Sequence, residues 1–292
     1  MGLSQRHHYL PEVYLKGFTG DDGKLSVYDV QKKELRHGRF SPKQIFYEWD
    51  RNTFIVNGSK TDFLEEIYKD IDQKVTPVLK KIQGYSSDQD LYPIDYFNLI
   101  FFLGVTYWRI PSTDKAIIDF VKTSERKDLF LKIFDTTSEN EVPKDVFNKI
   151  VNDVAFIESY RIPKVIIDYL RSNSIRLLEN WKTTYSESPP YLHLVGDNPI
   201  LTFNDIFDNI FETETIFPIS SSKYLWHMNG EFPKLIPPEL TMTIDQLIFL
   251  QSEKYVCGPN PEYLSAIVDL SNKKDYNENI IKYLKHQVFH KI

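Results

Sequence analysis

Pro93-Ile94-Asp95-Tyr96-Phe97-Asn98-Leu99-Ile100-Phe101-Phe102-Leu103-Gly104-Val105-Thr106-Tyr107-Trp108-Arg109-Ile110-Pro111 is the stretch whose reading decides the fold. Pro93 suits the first turn of a helix, and Pro111 halts one. The most apolar window, Phe97 to Val105, is about half the length that crosses a bilayer. It therefore reads as a helix buried in a protein core. Outward from it, Ser112 or Thr113 can cap a further helix toward Phe134, Pro143 sits at the first turn of another, and Val165 to Trp181 reads as the last helix of the block. Upstream, Thr61 can cap a helix with Phe63, Leu64, Ile67, Ile71, Val75 and Leu79 on one face, followed by a loop over Gly84 to Gln89.

The first sixty residues have a different pattern. Asp21-Asp22-Gly23 is a turn signal, Lys24 to Val30 alternates as a strand, and Leu35 to Phe40 can return as its hairpin partner. A third strand is expected from Tyr47 to Val56, closed by Asn57-Gly58. The end of the chain is mixed. Tyr191 to Val195 and Ile200 to Phe203 read as short strands around Gly196-Asp197-Asn198-Pro199, with further strands over Glu214 to Ser220 and Tyr224 to Met228. Helices are expected over Thr243 to Ser252, Pro261 to Leu270 and a charged tail carrying Ile280, Ile281, Leu284 and Val288. The class is α+β: a small β region (1–60), a helical block (61–182) and a mixed part (183–292), packed as one interwoven domain over 1–292.

Composition narrows the function classes. The chain has 292 residues, 41% apolar and 26% charged, which suits a globular protein with a sizeable core. Eighteen Tyr and twenty Phe supply large core rings and stacking surfaces. A net charge of −6 argues against bulk nucleic-acid binding and leaves room for a local basic groove. Cys257 is the single cysteine, which excludes internal disulfides and multi-cysteine zinc sites. No apolar run follows Met1-Gly2-Leu3-Ser4-Gln5-Arg6, and Arg6 stands where a myristoylation signal has Ser or Thr. A cytoplasmic protein without membrane attachment is expected. There is no P-loop, no G-x-G-x-x-G and no G-x-S-x-G.

Candidate chemistry starts at His7-His8-Tyr9. Histidine titrates near neutrality and serves as base, acid or metal ligand. Adjacent residues of an extended chain point to opposite sides, so one of the pair reaches a given site. The plainer reading is a polar arm, against which Pro11, Tyr14, Leu15 and Phe18 supply anchors. Asp197 in the Asp-Asn-Pro turn is a ligand, base or histidine orienter, or else simply bonds its own backbone. Arg109 at a helix end is either favoured by the helix dipole or a partly buried arginine awaiting a carboxylate or a phosphate. Glu48 and Asp50 are expected on one strand face as a carboxylate pair. Asp62, Glu65, Glu66 and Asp70 read as a solvated helix side. His193 and His227 read as structural, and His286 and His290 form a weak zinc-like i, i+4 pair.

Several segments together resemble a bacterial family, domain of unknown function 4238. They are Gln5-Arg6-His7-His8-Tyr9-Leu10-Pro11, Tyr14-Leu15, Phe18, Gly23-Lys24-Leu25 and Val27-Tyr28-Asp29. Ser41-Pro42, the helix near Asp62, Arg109 before Pro111, Asp197-Asn198-Pro199 and Phe217-Pro218-Ile219-Ser220 extend the match over most of the chain. Leu10 replaces a common valine, Gly196 a frequent serine, and Tyr68 stands where the family leads us to expect glutamate. The resemblance implies that the arm, Arg109 and the Asp-Asn-Pro turn form one constellation, and it carries no settled activity. Two readings follow. One is a phosphodiesterase or nuclease-type hydrolase in bacterial antiviral defence, with His7 or His8 as base or metal ligand, Asp197 as ligand or orienter, Arg109 as phosphate clamp and a divalent metal possible. Gln5, Tyr9, Tyr28 and Asn198 would contact substrate. The other is a non-catalytic sensor module that binds a nucleotide, nucleic acid or protein partner.

Overall fold

The structure is a computed structural model that describes residues 6–56, 59–84, 91–130, 132–135, 138, 140–172, 178–187, 190, 192–205, 209–228, 230, 235–272 and 277–290. The chain opens with β1 (Arg6–His8), α1 (Glu12–Leu15), β2 (Ser26–Asp29), β3 (Glu34–Leu35), β4 (Tyr47–Trp49), β5 (Phe54–Val56) and β6 (Ser59–Thr61). Helices follow: α2 (Phe63–Gly84), α3 (Pro93–Arg109), α4 (Asp114–Thr123), α5 (Lys144–Ile150), α6 (Val154–Ser159) and α7 (Arg161–Arg171). Then come β7 (Trp181–Ser186), β8 (Val195–Gly196), β9 (Leu201–Thr202), β10 (Thr215–Ser220), β11 (Lys223–His227) and β12 (Leu235–Ile236). The last elements are α8 (Pro238–Gln251), β13 (Tyr255–Gly258), α9 (Pro261–Asn272) and α10 (Glu278–His290).

The fold is α+β. A four-stranded antiparallel sheet has the order β3-β2-β13-β8, and a five-stranded sheet has the order β12-β7-β11-β10-β9 with only β12 parallel to its neighbour. Two small ribbons, β1–β4 and β5–β6, stand apart. Helix α3 forms as its sequence dictates: Pro93 takes the first turn, the Asp95 carboxylate accepts the Tyr92 backbone N–H at 2.9 Å, and Ile110 leaves the helix before Pro111. It packs between α2 and α7, and its Gly104 lets the Phe211 ring lie against the backbone. The main core joins Tyr9, Tyr14 and Phe18 with α2, α3 and α7 and with Phe217, Leu225 and Cys257. Residues more than 200 positions apart thus share one interior, with Tyr14 donating to the Pro218 carbonyl at 2.8 Å and stacking on Phe217.

Several elements differ from the sequence reading. The strand expected from Tyr47 to Val56 is two strands, because Asp50 turns to φ +54° and ends the first. Asn57 and Gly58 lie outside the described residues, as do 85–90 of the expected loop. Thr61 belongs to β6, and the Asp62 carbonyl receives the first helical N–H groups of α2. The helix after Thr113 stops at Thr123, well short of Phe134. Helix α7 ends at Arg171, and Trp181 opens a strand whose alternating residues pair with β11. Strands β8 and β9 flank the Asp-Asn-Pro turn as expected, but each joins a different sheet, so they are not a hairpin. No described helix is long and apolar enough to cross a membrane.

Candidate functional site

The opening segment forms strand β1, whose partner is β4 in the register Arg6↔Trp49, His7↔Glu48 and His8↔Tyr47. Alternation therefore puts Arg6, His8, Tyr47 and Trp49 on one face of the ribbon and turns His7 to the other. Gln5 lies outside the described residues. His7 is fully buried, and its Nδ1 accepts the Asn52 backbone N–H at 2.8 Å. The Asn52 side chain donates in turn to Glu65 at 2.7 Å, so Glu65 belongs to the anchor of the arm rather than to a solvated helix side. The polar arm is thus pinned.

His8 is half-buried, tilted against Tyr47, and its Nε2 is buried without a hydrogen-bond partner among the described residues. Burial lowers its pKa. Glu12 opposes the shift, and the positive charge of Arg109 adds to it. Arg109, the last residue of α3, is buried, donates to both oxygens of Asp72 at 2.9 and 3.1 Å, and lies 4.4 Å from the Tyr68 ring centre. Burial pushes the Asp72 carboxyl up, and Arg109 pulls it back in part. Next to this pair, Asp114 accepts from Arg51 and Arg161, and Glu158 accepts from Arg161 at 2.7 Å. Three arginines are thereby neutralised around the buried phenol of Tyr68. The expected Glu48–Asp50 pair does not form, because Asp50 leaves the strand and Glu48 accepts from Arg51 at 2.8 Å.

Asp197 is placed elsewhere. Its carboxylate accepts the backbone N–H groups of Glu253 and Lys254 at 3.0–3.3 Å, tying the turn to the segment before β13. Burial outweighs these bonds and pushes its pKa up to about 6. Among the described residues no hydrogen bond or ion pair links it to His8 or Arg109; of the opening segment, Tyr9 feels its charge. Tyr9 is itself a core ring set edge-on to Phe46, and Tyr28 is a core ring tilted against Phe249. Asn198 gives its carbonyl to Gln251 at 2.6 Å and lines a cavity of about 450 Å³. Tyr107 of α3 and Thr113 beyond its end reach that cavity, and Arg109 does not line it. His8 therefore lies within the field of Arg109, while among the described residues Asp197 is bonded to neither.

Two further histidines, His193 and His227, are buried. His193 is held by Ser186 and Tyr224, each at 2.5 Å, and His227 stacks on Trp181 and bonds the Thr213 carbonyl. His286 and His290 lie ring to ring at 5.0 Å. Among the described residues no three His, Cys, Asp or Glu side chains gather to hold a metal.

The feature that sequence reasoning missed lies on the open side of the ribbon. A groove of about 480 Å³ is walled by Tyr47, Glu48 and Trp49 of β4, by Arg36, and by Lys254 and Tyr255. The Arg36 guanidinium lies 4.2 Å from the Phe40 ring centre and 5.7 Å from that of Tyr255, with no carboxylate partner among the described residues. Lys254 lies 5.8 Å from the Tyr255 ring centre and only 4.0 Å from Glu48. Arg6 sits 5.1 Å from the centres of both Tyr47 and Trp49, and Trp49 is 58% exposed.

No curated protein and no solved structure matches the chain. The model of the family described as protein of unknown function (DUF4238) matches residues 6–261, from β1 into the start of α9, and the chain belongs to that family.

Proposed function

We propose that this chain is a nucleotide-binding protein whose ligand seats in the groove between β4 and β13. The observation that carries the reading is Arg36, a guanidinium held between two rings, without a carboxylate partner among the described residues, on the wall of a groove edged by exposed Trp49. Rings take the flat face of a base, and a guanidinium takes phosphate oxygens in a matched fork. Lys254 adds a second cation, since its contact with Glu48 is long and solvent-exposed. The buried wedge of His7, Asn52, Glu65, Arg109 and Asp72 fixes the ribbon that carries this wall. Titration with AMP is expected to quench Trp49 fluorescence, and Arg36→Glu is expected to abolish binding in calorimetry. Equal AMP affinity in wild type, Arg36→Glu and Trp49→Leu would sink the reading.

A phosphodiester hydrolase is the second reading, favoured by one observation: the buried His8 Nε2 without a partner among the described residues, on an imidazole whose lowered pKa leaves it a neutral base at pH 7. Here the phosphate clamp passes from Arg109, which Asp72 occupies, to Arg36. His8→Ala should then remove cleavage of bis(p-nitrophenyl) phosphate while AMP binding persists. Unchanged cleavage in His8→Ala dismisses a catalytic role for His8.

A further inference from the structure

The groove holds two stacking platforms rather than one. Tyr255 belongs to β13, an interior strand of the four-stranded sheet, and carries Arg36 and Lys254 over its ring at 5.7 and 5.8 Å. Trp49 belongs to the separate β1–β4 ribbon, stands edge to face with Tyr47 at 6.0 Å, and carries Arg6. Both rings wall the same groove of about 480 Å³, a volume within the range of small-ligand sites. Each platform pairs one aromatic ring with a cation lying over it at 5.1 to 5.8 Å, which brings together the two groups a nucleotide calls for, a ring for its base and a cation for its phosphate. The two platforms sit on different elements, and each is anchored independently, β1 through His7 to Asn52 and β13 through ladder bonds to β2 and β8. A ligand that spans them needs two bases. The chain as a whole is acidic, at −6, so phosphates extending beyond the groove meet an unfavourable field.

We infer that the ligand is a dinucleotide, bound with one base on Trp49 and the other on Tyr255 and with its phosphates on Arg36 and Lys254. This rests on the nucleotide-binding reading above and narrows it to a substrate class. The same chemistry comes from a free dinucleotide or from two bases within a longer strand, and the probes below separate the two.

The test is calorimetry on the full chain with AMP, the dinucleotide pApA and a ten-residue oligoadenylate. A second stacked base is expected to tighten binding roughly five- to 150-fold, from the usual contribution of a base on a ring. So pApA should exceed AMP by that factor. Trp49→Leu and Tyr255→Leu should each return pApA to the AMP level, and the decamer should gain nothing beyond pApA. Trp49 is exposed, so its replacement leaves the core intact; circular dichroism checks the Tyr255 variant. If AMP binds and pApA binds no tighter, the two-platform inference is wrong while the nucleotide reading stands. A decamer far tighter than pApA overturns the dinucleotide assignment in favour of a longer strand. If no probe binds, the nucleotide reading itself falls.

Discussion

Replacing Asp72 by leucine leaves the Arg109 guanidinium, 97% buried, without its carboxylate. A guanidinium cannot shed its charge in a protein, so the variant must carry an unpaired buried cation or open the end of α3 to water. Breaking a buried pair from one side costs about 3–5 kcal/mol. At roughly 2.1 cal/mol/K per residue, unfolding a chain of this size carries an entropy near 0.6 kcal/mol/K, so the melting temperature should fall by roughly 5–8 °C. The converse variant, Arg109→Met, behaves differently. It strands Asp72, whose carboxyl burial already pushes upward and which escapes by taking a proton. It also loses the 4.4 Å contact with Tyr68. Its cost should therefore grow between pH 5 and pH 8, whereas that of Asp72→Leu stays level. Differential scanning fluorimetry and urea unfolding of both singles and the double variant at the two pH values form a double-mutant cycle, in which the double should cost less than the sum. Strict additivity, or an Asp72→Leu melting temperature within a degree of wild type, would refute the idea that this pair holds the wedge beneath the ribbon.

Three further outcomes are expected. Asp197 holds its proton to about pH 6 when folded and to about 3.9 when unfolded; a raised carboxyl stabilises while protonated, so its contribution is full below about pH 4 and is lost as pH rises through 6. The loss is at most about 3 kcal/mol, and in urea titrations from pH 4 to 7 wild type should lose more stability with rising pH than Asp197→Asn. Arg109→Met should move the His8 pKa upward, part of the way back from its burial-lowered value, in an imidazole titration by nuclear magnetic resonance; an unmoved pKa means that Arg109 does not act on His8. Gly104→Ala would drive a Cβ into the Phe211 ring and should cost about 1–3 kcal/mol of overpacking, recovered in part by Phe211→Leu; a neutral Gly104→Ala contradicts the close approach.

What was legible in the sequence was local. The helix from Pro93 to Arg109 is readable because two prolines bracket an apolar run, and β10 and β11 because short runs of apolar and aromatic residues mark strands without help from the rest of the chain. The strand at Trp181 was not, because its aromatic and threonine residues continue directly from a helical pattern and only pairing with β11 decides the matter. The break at Asp50 rests on one positive φ, which no periodicity reports. The site divides the same way. His8 and Arg109 were singled out by residue type and do share one electrostatic environment. The carboxylate partner of Arg109, Asp72, carries no such signal, since a long-range ion pair leaves no mark in sequence spacing. Arg36 and Tyr255 stand 219 positions apart and meet through sheet pairing, so the groove was invisible before the fold.

That sheet has a consequence for how the chain is made. Strand β2 is buried throughout, yet its partner on the inner side is β13, with Val27 opposite Cys257. A ribosome adds roughly 5–20 residues per second, so Val27 and Tyr28 wait on the order of ten to fifty seconds of translation for the strand that covers them. During that interval the nascent chain presents an unpaired, apolar strand edge. Helices α2, α3 and α7 can assemble as they emerge, but the fold closes only after residue 258 has left the exit tunnel. Truncations before that point should be clients of holding chaperones, and expression yield should respond to translation speed more than to the stability of the finished protein.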